Sequence, residues 1–141
     1  MTIVLQNPED LHYLLALNDE AATLTEAVDE GLSVAAFERV AQSLNFTEKR
    51  LAHQLRITPS TLARRKRTGS LSVDESERLY RVAFLLERSA QVLGDLEAAR
   101  RWLTTSKRAL AEKTPLAFAR TEPGAREVED LLGRIEYGIP S

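Results

Sequence analysis

Lys49, Arg50, Arg56, Arg64, Arg65, Lys66 and Arg67 gather seven of the chain's 19 Lys and Arg residues into one stretch that no acid interrupts. Fixed cations at this density neutralise phosphates and release the counterions condensed on nucleic acid. The window carries +7, whereas the remaining 12 basic and 21 acidic residues leave the rest of the chain at −9. One concentrated positive patch on a mildly acidic protein makes nucleic acid the first partner to consider.

Other chemistry finds little to work with. The absence of cysteine removes disulfides, thiolate catalysis and Cys-based zinc sites together. The two histidines, His12 and His53, lack ligand spacing and read as surface or half-buried helix residues. No paired carboxylates converge, and no glycine-rich strand-to-helix loop offers a phosphate cradle. Neither an enzyme, a metal site nor a cofactor is expected. At 141 residues, with 43% hydrophobic and 28% charged content, the chain can bury a core of ordinary size. No apolar run is long enough to span a membrane. The start MTIVLQNPEDLHYLL lacks the basic opening and cleavage site of a signal peptide, so the expected location is cytoplasmic.

Apolar residues recur at three- and four-residue spacing almost throughout, which predicts an all-α fold. Asn7-Pro8-Glu9 reads as a helix start leading Leu11, Leu14, Leu15 and Leu17 towards Asn18. A short helix over Thr25–Glu30 stops at Gly31, and Ser33 caps one with Val34, Phe37, Val40, Ala41 and Leu44 inward. Thr47 caps the next, with Leu51, Ala52 and Leu55 inward, and Thr58-Pro59 opens another that ends at Gly69. Ser72 begins the longest helix, closed by Gly94, with a main stripe of Leu79, Val82, Ala83, Leu86, Ala90 and Leu93. Tyr80, Phe84, Leu85 and Val92 give it a second greasy side, which suits the centre of a fold, a dimer interface, or both. Asp95 caps LEAARRWLTT, Pro115 interrupts a less regular stretch, and Thr121-Glu122-Pro123 starts a last helix with Ala125, Val128, Leu131, Leu132 and Ile135 on one side. The only candidate strand is a stub at Ile3–Leu5.

The stretch TEKRLAHQLRITPSTLARRKRTG meets the requirements of a helix–turn–helix. Ala52 is small where the two helices cross, Ile57 and Leu62 point to the shared core, and Thr58 with Pro59 presets the second helix. That helix would enter the major groove, with Ser60, Thr61 and Arg64 towards base edges. Lys49, Arg50, Lys66 and Arg67 would sit near phosphates. Two residues are unusual. Arg56 stands where such turns carry glycine, and Arg65 stands where an apolar residue is expected. An acid such as Glu38 or Glu77 would hold Arg65, with Leu71 filling the gap.

Several separate motifs, in order, resemble the Xre/MbcA/ParS antitoxins of RES–Xre toxin–antitoxin modules. They are TLARRKRTGSLS, LSVDESERL, GDLEAARRWL and ALAEKTPLAFARTEPGAREVEDLLGRIEYG, and the likeness spans about residues 33–141. Family patterns carry over to Arg64, Arg65, Leu71 and Ser72, then to Gly94, Ala99, Trp102 and Leu103. They continue through Pro115, Leu116, Gly124, Val128, Leu132, Gly133, Ile135 and Gly138. The family commonly has glycine near Glu112.

The resemblance implies an Xre-like helix–turn–helix domain followed by a small helical toxin-binding domain. The expected division is an acidic helical extension over 1–32, DNA binding over 33–71, and toxin binding with dimerisation over 72–141. The implied partners are a RES-domain toxin, of ADP-ribosyltransferase-like fold and acting on NAD, and operator DNA. The antitoxin would neutralise the toxin and repress its own operon, as a homodimer within a larger hetero-oligomer. Expected DNA contacts are Lys49, Arg50, Thr58, Ser60, Thr61, Arg64, Arg65, Lys66 and Arg67. Expected toxin contacts are Trp102, Leu116, Arg134, Glu136, Tyr137, Gly138 and Ile139, although a large ring such as Trp102 is by default a core residue. The glycines Gly124, Gly133 and Gly138 are expected to serve close packing and helix ends. The alternatives are a one-component regulator without a toxin, and an interaction module that no longer binds DNA.

Overall fold

A computed structural model describes residues 10–17 and 23–139, and all structural statements concern these. The fold is all-α, and no strand occurs among the described residues. The helices are α1 (Leu11–Leu14), α2 (Leu24–Glu30), α3 (Val34–Leu44), α4 (Glu48–Gln54), α5 (Pro59–Thr68), α6 (Val73–Leu93), α7 (Leu96–Leu103), α8 (Pro115–Phe118) and α9 (Glu122–Glu136). A 3-10 turn over Arg108–Leu110 links α7 to α8.

Side-chain oxygens start the helices where the sequence places them. Ser33, Thr47, Thr58, Ser72, Asp95 and Thr121 each accept a hydrogen bond from an amide in the first turn of the helix that follows. Thr23 caps α2, one turn position earlier than Thr25 suggests. For α1 the cap is Asp10, and the helix ends at Leu14 with Ala16 left-handed at φ 54°. The Asn7-Pro8-Glu9 start, the end at Asn18 and the Ile3–Leu5 stub lie outside the described residues.

The 21-residue α6 is the axis of the fold. It packs against α1, α2, α3, α7 and α9. Leu79, Val82, Ala83, Leu86 and Ala90 are buried as the stripe predicts, while Leu93 is half-buried. Leu85 is buried as well, so part of the second greasy side is consumed within the chain. Burying each such side chain contributes roughly 1.5–3 kcal/mol. Phe37, Leu51, Leu55, Leu103 and Leu132 complete the core at full burial. Ile135 departs from its stripe. It remains 40% exposed because α9 runs past the surface it packs on.

A backbone clasp closes the helix–turn–helix. Leu71 donates to the Leu32 carbonyl at 2.8 Å, and Val34 donates to the Gly69 carbonyl at 2.9 Å. Gly31 is required beside it: at φ 94°, a Cβ there would meet the Leu71 carbonyl oxygen at 2.5 Å. The Ser76 hydroxyl inside α6 accepts from the buried Leu32 amide at 2.8 Å. The end of α5 is thereby fixed to the start of α3 and to the axis.

Candidate functional site

The helix–turn–helix is α4, a turn at Leu55–Thr58, and α5. The turn is a Schellman motif: Ile57 donates to the Ala52 carbonyl at 2.8 Å and Arg56 to the His53 carbonyl at 3.1 Å. Its left-handed position is Arg56, at φ 59°, without the glycine that would adopt this conformation freely. Ala52 and Ile57 are buried, while Leu62 is only half-buried. No residue of α5 is fully buried, so this helix lies on the surface and is held by a few ties.

At the N-terminus of α5, three hydroxyls gather. Thr58 accepts from the Thr61 amide at 3.2 Å and lies 2.9 Å from the Thr61 hydroxyl and 3.3 Å from that of Ser60. Ser60 is exposed and Thr61 half-buried. Arg64, Lys66 and Arg67 are exposed on the helix, and Lys49 and Arg50 on α4, with the Arg50 guanidinium 3.9 Å from the Phe46 ring centre. The Lys66 ammonium lies 2.5 Å from Glu48, tying α5 to the first turn of α4. Among the described residues, Lys49, Arg64 and Arg67 form no ion pair. Their charge faces solvent.

Arg65 has a different role from its neighbours. Its guanidinium donates to both carboxylate oxygens of Glu75, at 2.8 and 3.2 Å. Glu38 and Glu77 are not its partners. Glu75 is also the third residue of α6 and completes a capping box, accepting from the Ser72 amide at 2.9 Å while the Ser72 hydroxyl accepts from the Glu75 amide at 3.2 Å. Burial opposes the charge on Glu75. The hydrogen bonds from Arg65 and the Ser72 amide outweigh it and hold the carboxyl below its ordinary range. Thus Arg65 faces inward as the spacing suggests, but is satisfied by the residue that starts the next helix. Leu71 is buried in the core.

Beyond the motif, the helix–turn–helix is bonded to the α8–α9 corner. Gln54 Nε2 donates to the Leu116 carbonyl at 2.7 Å, and the Arg120 guanidinium donates to the His53 carbonyl at 3.2 Å. Arg56 and Arg81 donate to the Arg120 carbonyl at 3.3 and 3.4 Å. Arg78 donates to the Leu55 carbonyl at 2.7 Å. A groove of about 680 Å³ runs between this corner and α5, with Ala52, Ile57, Pro59 and Leu62 in its lining. None of these ties is foreseeable from spacing, because each joins a side chain to a backbone carbonyl distant in sequence.

At the other end of the molecule, α9 also closes with a Schellman motif. Ile139 donates to the Arg134 carbonyl at 2.8 Å and Gly138 to the Ile135 carbonyl at 3.2 Å, with Gly138 left-handed at φ 68°. The motif leaves Tyr137 76% and Ile139 56% exposed beside Ile135 and the exposed Arg134. Glu136 is not free. Both its oxygens accept from Arg88 of α6, at 2.7 and 3.0 Å, and this hydrogen bond lowers its pKa. Pro140 and Ser141 lie outside the described residues. Trp102, on α7, is half-buried with the Lys107 ammonium 5.3 Å from its ring centre. Leu116 is buried and supports the α8–α9 corner from within. Gly124 packs closely, since a Cβ there would lie 1.8 Å from the Phe118 carbonyl oxygen, whereas a Cβ on Gly133 would meet nothing within 4 Å. Near Glu112, the turn keeps two successive left-handed residues, Ala111 and Glu112, without glycine.

No group of His, Asp and Glu with metal-binding geometry occurs among the described residues, and no helix there is long and apolar enough to cross a membrane.

Comparison with known proteins matches residues 23–83 to the antitoxin Xre-like helix-turn-helix domain and residues 74–138 to the antitoxin Xre/MbcA/ParS C-terminal toxin-binding domain. The chain is 30% identical to the antitoxin Xre of Photorhabdus laumondii, over 84% of its own length and 81% of that protein's. It is 28% identical to the antitoxin Xre of Yersinia enterocolitica, over 82% and 80% of the two chains. It is 36% identical to the antitoxin Xre of Pseudomonas putida, over 54% and 48%. An exposed basic recognition helix, a helical toxin-binding domain behind it and likeness along most of the chain agree: the protein belongs to the Xre family of antitoxins.

Proposed function

We propose that this chain neutralises a RES-domain toxin through its closing helices and represses its own operon through α5. The observation that carries the reading is the placement of two unlike exposed surfaces, one cationic and one apolar, on helices that are both joined to α6. Residues 33–71 serve DNA and residues 72–141 serve the toxin and self-association.

On the DNA side, Arg64 reads a base edge, while Ser60 and Thr61 at the capped end of α5 touch bases or phosphates. Lys49, Arg50, Thr58 and Arg67 contact the backbone. Arg65 and Lys66 act chiefly by holding α5 to Glu75 and Glu48. In a homodimer, two copies of α5 about 34 Å apart would read a palindrome.

On the toxin side, Ile135, Tyr137 and Ile139 form the apolar centre of a contact that Arg134 and Trp102 extend. Arg88 holds Glu136, and the Schellman motif holds Ile139, so little side-chain freedom is lost on binding. A stable pair buries about 800 Å² on each partner. The tip alone is smaller, which is why the contact must extend along α9. The tip lies over the toxin's NAD pocket, where the Tyr137 ring and hydroxyl can occupy a site shaped for substrate.

Co-expression with the RES-type product of the neighbouring gene tests this reading. Growth and cellular NAD are expected to be restored by the full chain, and not by one lacking residues 134–141. Failure of the full chain to bind or rescue would overturn the toxin assignment.

A further inference from the structure

We propose that Arg120, in the turn between α8 and α9, is a positioning residue for DNA binding. It lies outside the helix–turn–helix and holds the strained turn that presents α5. The proposal rests on the DNA-binding reading above.

The α5 helix buries no residue fully, and the groove along its inner flank leaves it without close packing against the α8–α9 corner. Its far end is held by Glu75, Glu48 and the clasp, so the pose of its first turn depends on the turn that leads into it. That turn places Arg56 in the left-handed region at φ 59°, a conformation unfavourable for a residue with a side chain. Residue 120 meets the turn on both sides. Its guanidinium donates to the His53 carbonyl at 3.2 Å, and its carbonyl accepts from Arg56 at 3.3 Å. The His53 carbonyl already takes the Arg56 amide in the Schellman motif, so Arg120 supplies that oxygen with a second, charged donor. Arg81, on the axis helix, binds the same Arg120 carbonyl at 3.4 Å and fixes the corner to α6. Together these bonds tie a turn held in an unfavourable conformation to the 21-residue axis helix.

Arg120 is a cation near a basic surface, so a direct phosphate contact is the competing explanation of any effect on DNA. The two differ in salt dependence. Loss of one phosphate contact lowers the slope of log affinity against log salt by about 0.9, whereas loss of positioning weakens binding at an unchanged slope.

The experiment uses the full chain, a labelled duplex from the region upstream of its gene, and amide hydrogen exchange of the free protein. Arg120→Ala keeps the residue-120 carbonyl and removes the side chain beyond Cβ, the guanidinium with it. It is expected to weaken duplex binding about threefold to tenfold at constant salt slope, and to speed exchange in the turn and first turn of α5. Arg56→Gly removes the backbone strain, so in that background Arg120→Ala is expected to cost less than about twofold. Should Arg120→Ala lower the unfolding midpoint too far for binding to be measured, Arg120→Lys keeps the charge without the guanidinium fork and is expected to weaken duplex binding by less than about threefold at an unchanged salt slope, with faster exchange in the turn. Unchanged exchange in the turn, an undiminished cost in the Arg56→Gly background, or a reduced salt slope would each overturn the proposal. A wild-type chain with no affinity for the duplex would overturn the reading beneath it, and exchange would still report separately whether Arg120 holds the turn.

Discussion

Arg65 and Glu75 face each other across the junction of α5 and α6, with guanidinium nitrogens 2.8 and 3.2 Å from the two carboxylate oxygens. One carboxylate thus starts the axis helix and anchors the recognition helix. Glu75→Gln keeps the shape but weakens both jobs, and is expected to lower stability by about 1–3 kcal/mol. Denaturant unfolding would show this as a lower midpoint at unchanged slope. Duplex affinity is expected to fall as well, since α5 loses its anchor.

The same pair sets a pH dependence. The folded-state pKa of Glu75 lies below its ordinary value of 4.5, while Arg65 stays charged throughout. A carboxyl of this kind lends its full stabilisation above the ordinary value and loses it as pH falls through the folded one. The gap in unfolding temperature between wild type and Glu75→Gln is expected to be constant from pH 7 to about 5, and to close below that. A gap that widened on acidification would contradict the assignment.

Base and phosphate contacts are separable by titration. Arg64→Ala is expected to cost about 1–3 kcal/mol on the cognate duplex and to flatten discrimination at one base pair. Arg67→Ala is expected to weaken all duplexes alike and to reduce the salt slope by about 0.9. Anisotropy across salt concentrations and substituted duplexes checks both.

Two glycines of α9 are expected to behave oppositely. A methyl at Gly124 would overlap the Phe118 carbonyl, so Gly124→Ala must displace the start of α9 and is expected to cost about 2 kcal/mol or more. Gly133 has open space in a helix interior, and Gly133→Ala is expected to be neutral or to stabilise by up to about 1 kcal/mol. Thermal unfolding of the two variants decides the matter.

At the closing tip, Tyr137→Ala and Ile135→Ser remove exposed apolar surface without touching the core. Unfolding of Tyr137→Ala is expected to match wild type and that of Ile135→Ser to lose about 1 kcal/mol, while toxin affinity falls by roughly tenfold to a hundredfold in each. Calorimetry with the purified toxin measures this.

Most of the architecture was legible in the sequence because local chemistry governs it. Ser33, Thr47, Thr58, Ser72, Asp95 and Thr121 cap as expected, and the α6 stripe is buried as its spacing predicts as far as Ala90. The left-handed Arg56 was also readable, from a turn that wants glycine. What escaped depends on distance. Glu75 as the partner of Arg65, Arg88 as that of Glu136, and the bonds of Arg120 to α4 join residues whose meeting depends on how the helices pack. Ile135 escaped for a related reason, since periodicity marks a face of a helix but not where the surface beneath it ends.

The two family matches overlap from residue 74 to residue 83, inside the first half of α6. That segment contributes Glu75 to the recognition helix, Ser76 to the clasp, and Arg78 and Arg81 to the α4 turn and the α8–α9 corner. A chimera that exchanges the rear half between relatives must therefore carry these four residues with whichever front half they fit. A splice at the loop before α6 would join foreign halves along a severed set of bonds. Evolution of new toxin pairings in this lineage is consequently expected to change α9 and its tip while leaving the opening turns of α6 in place.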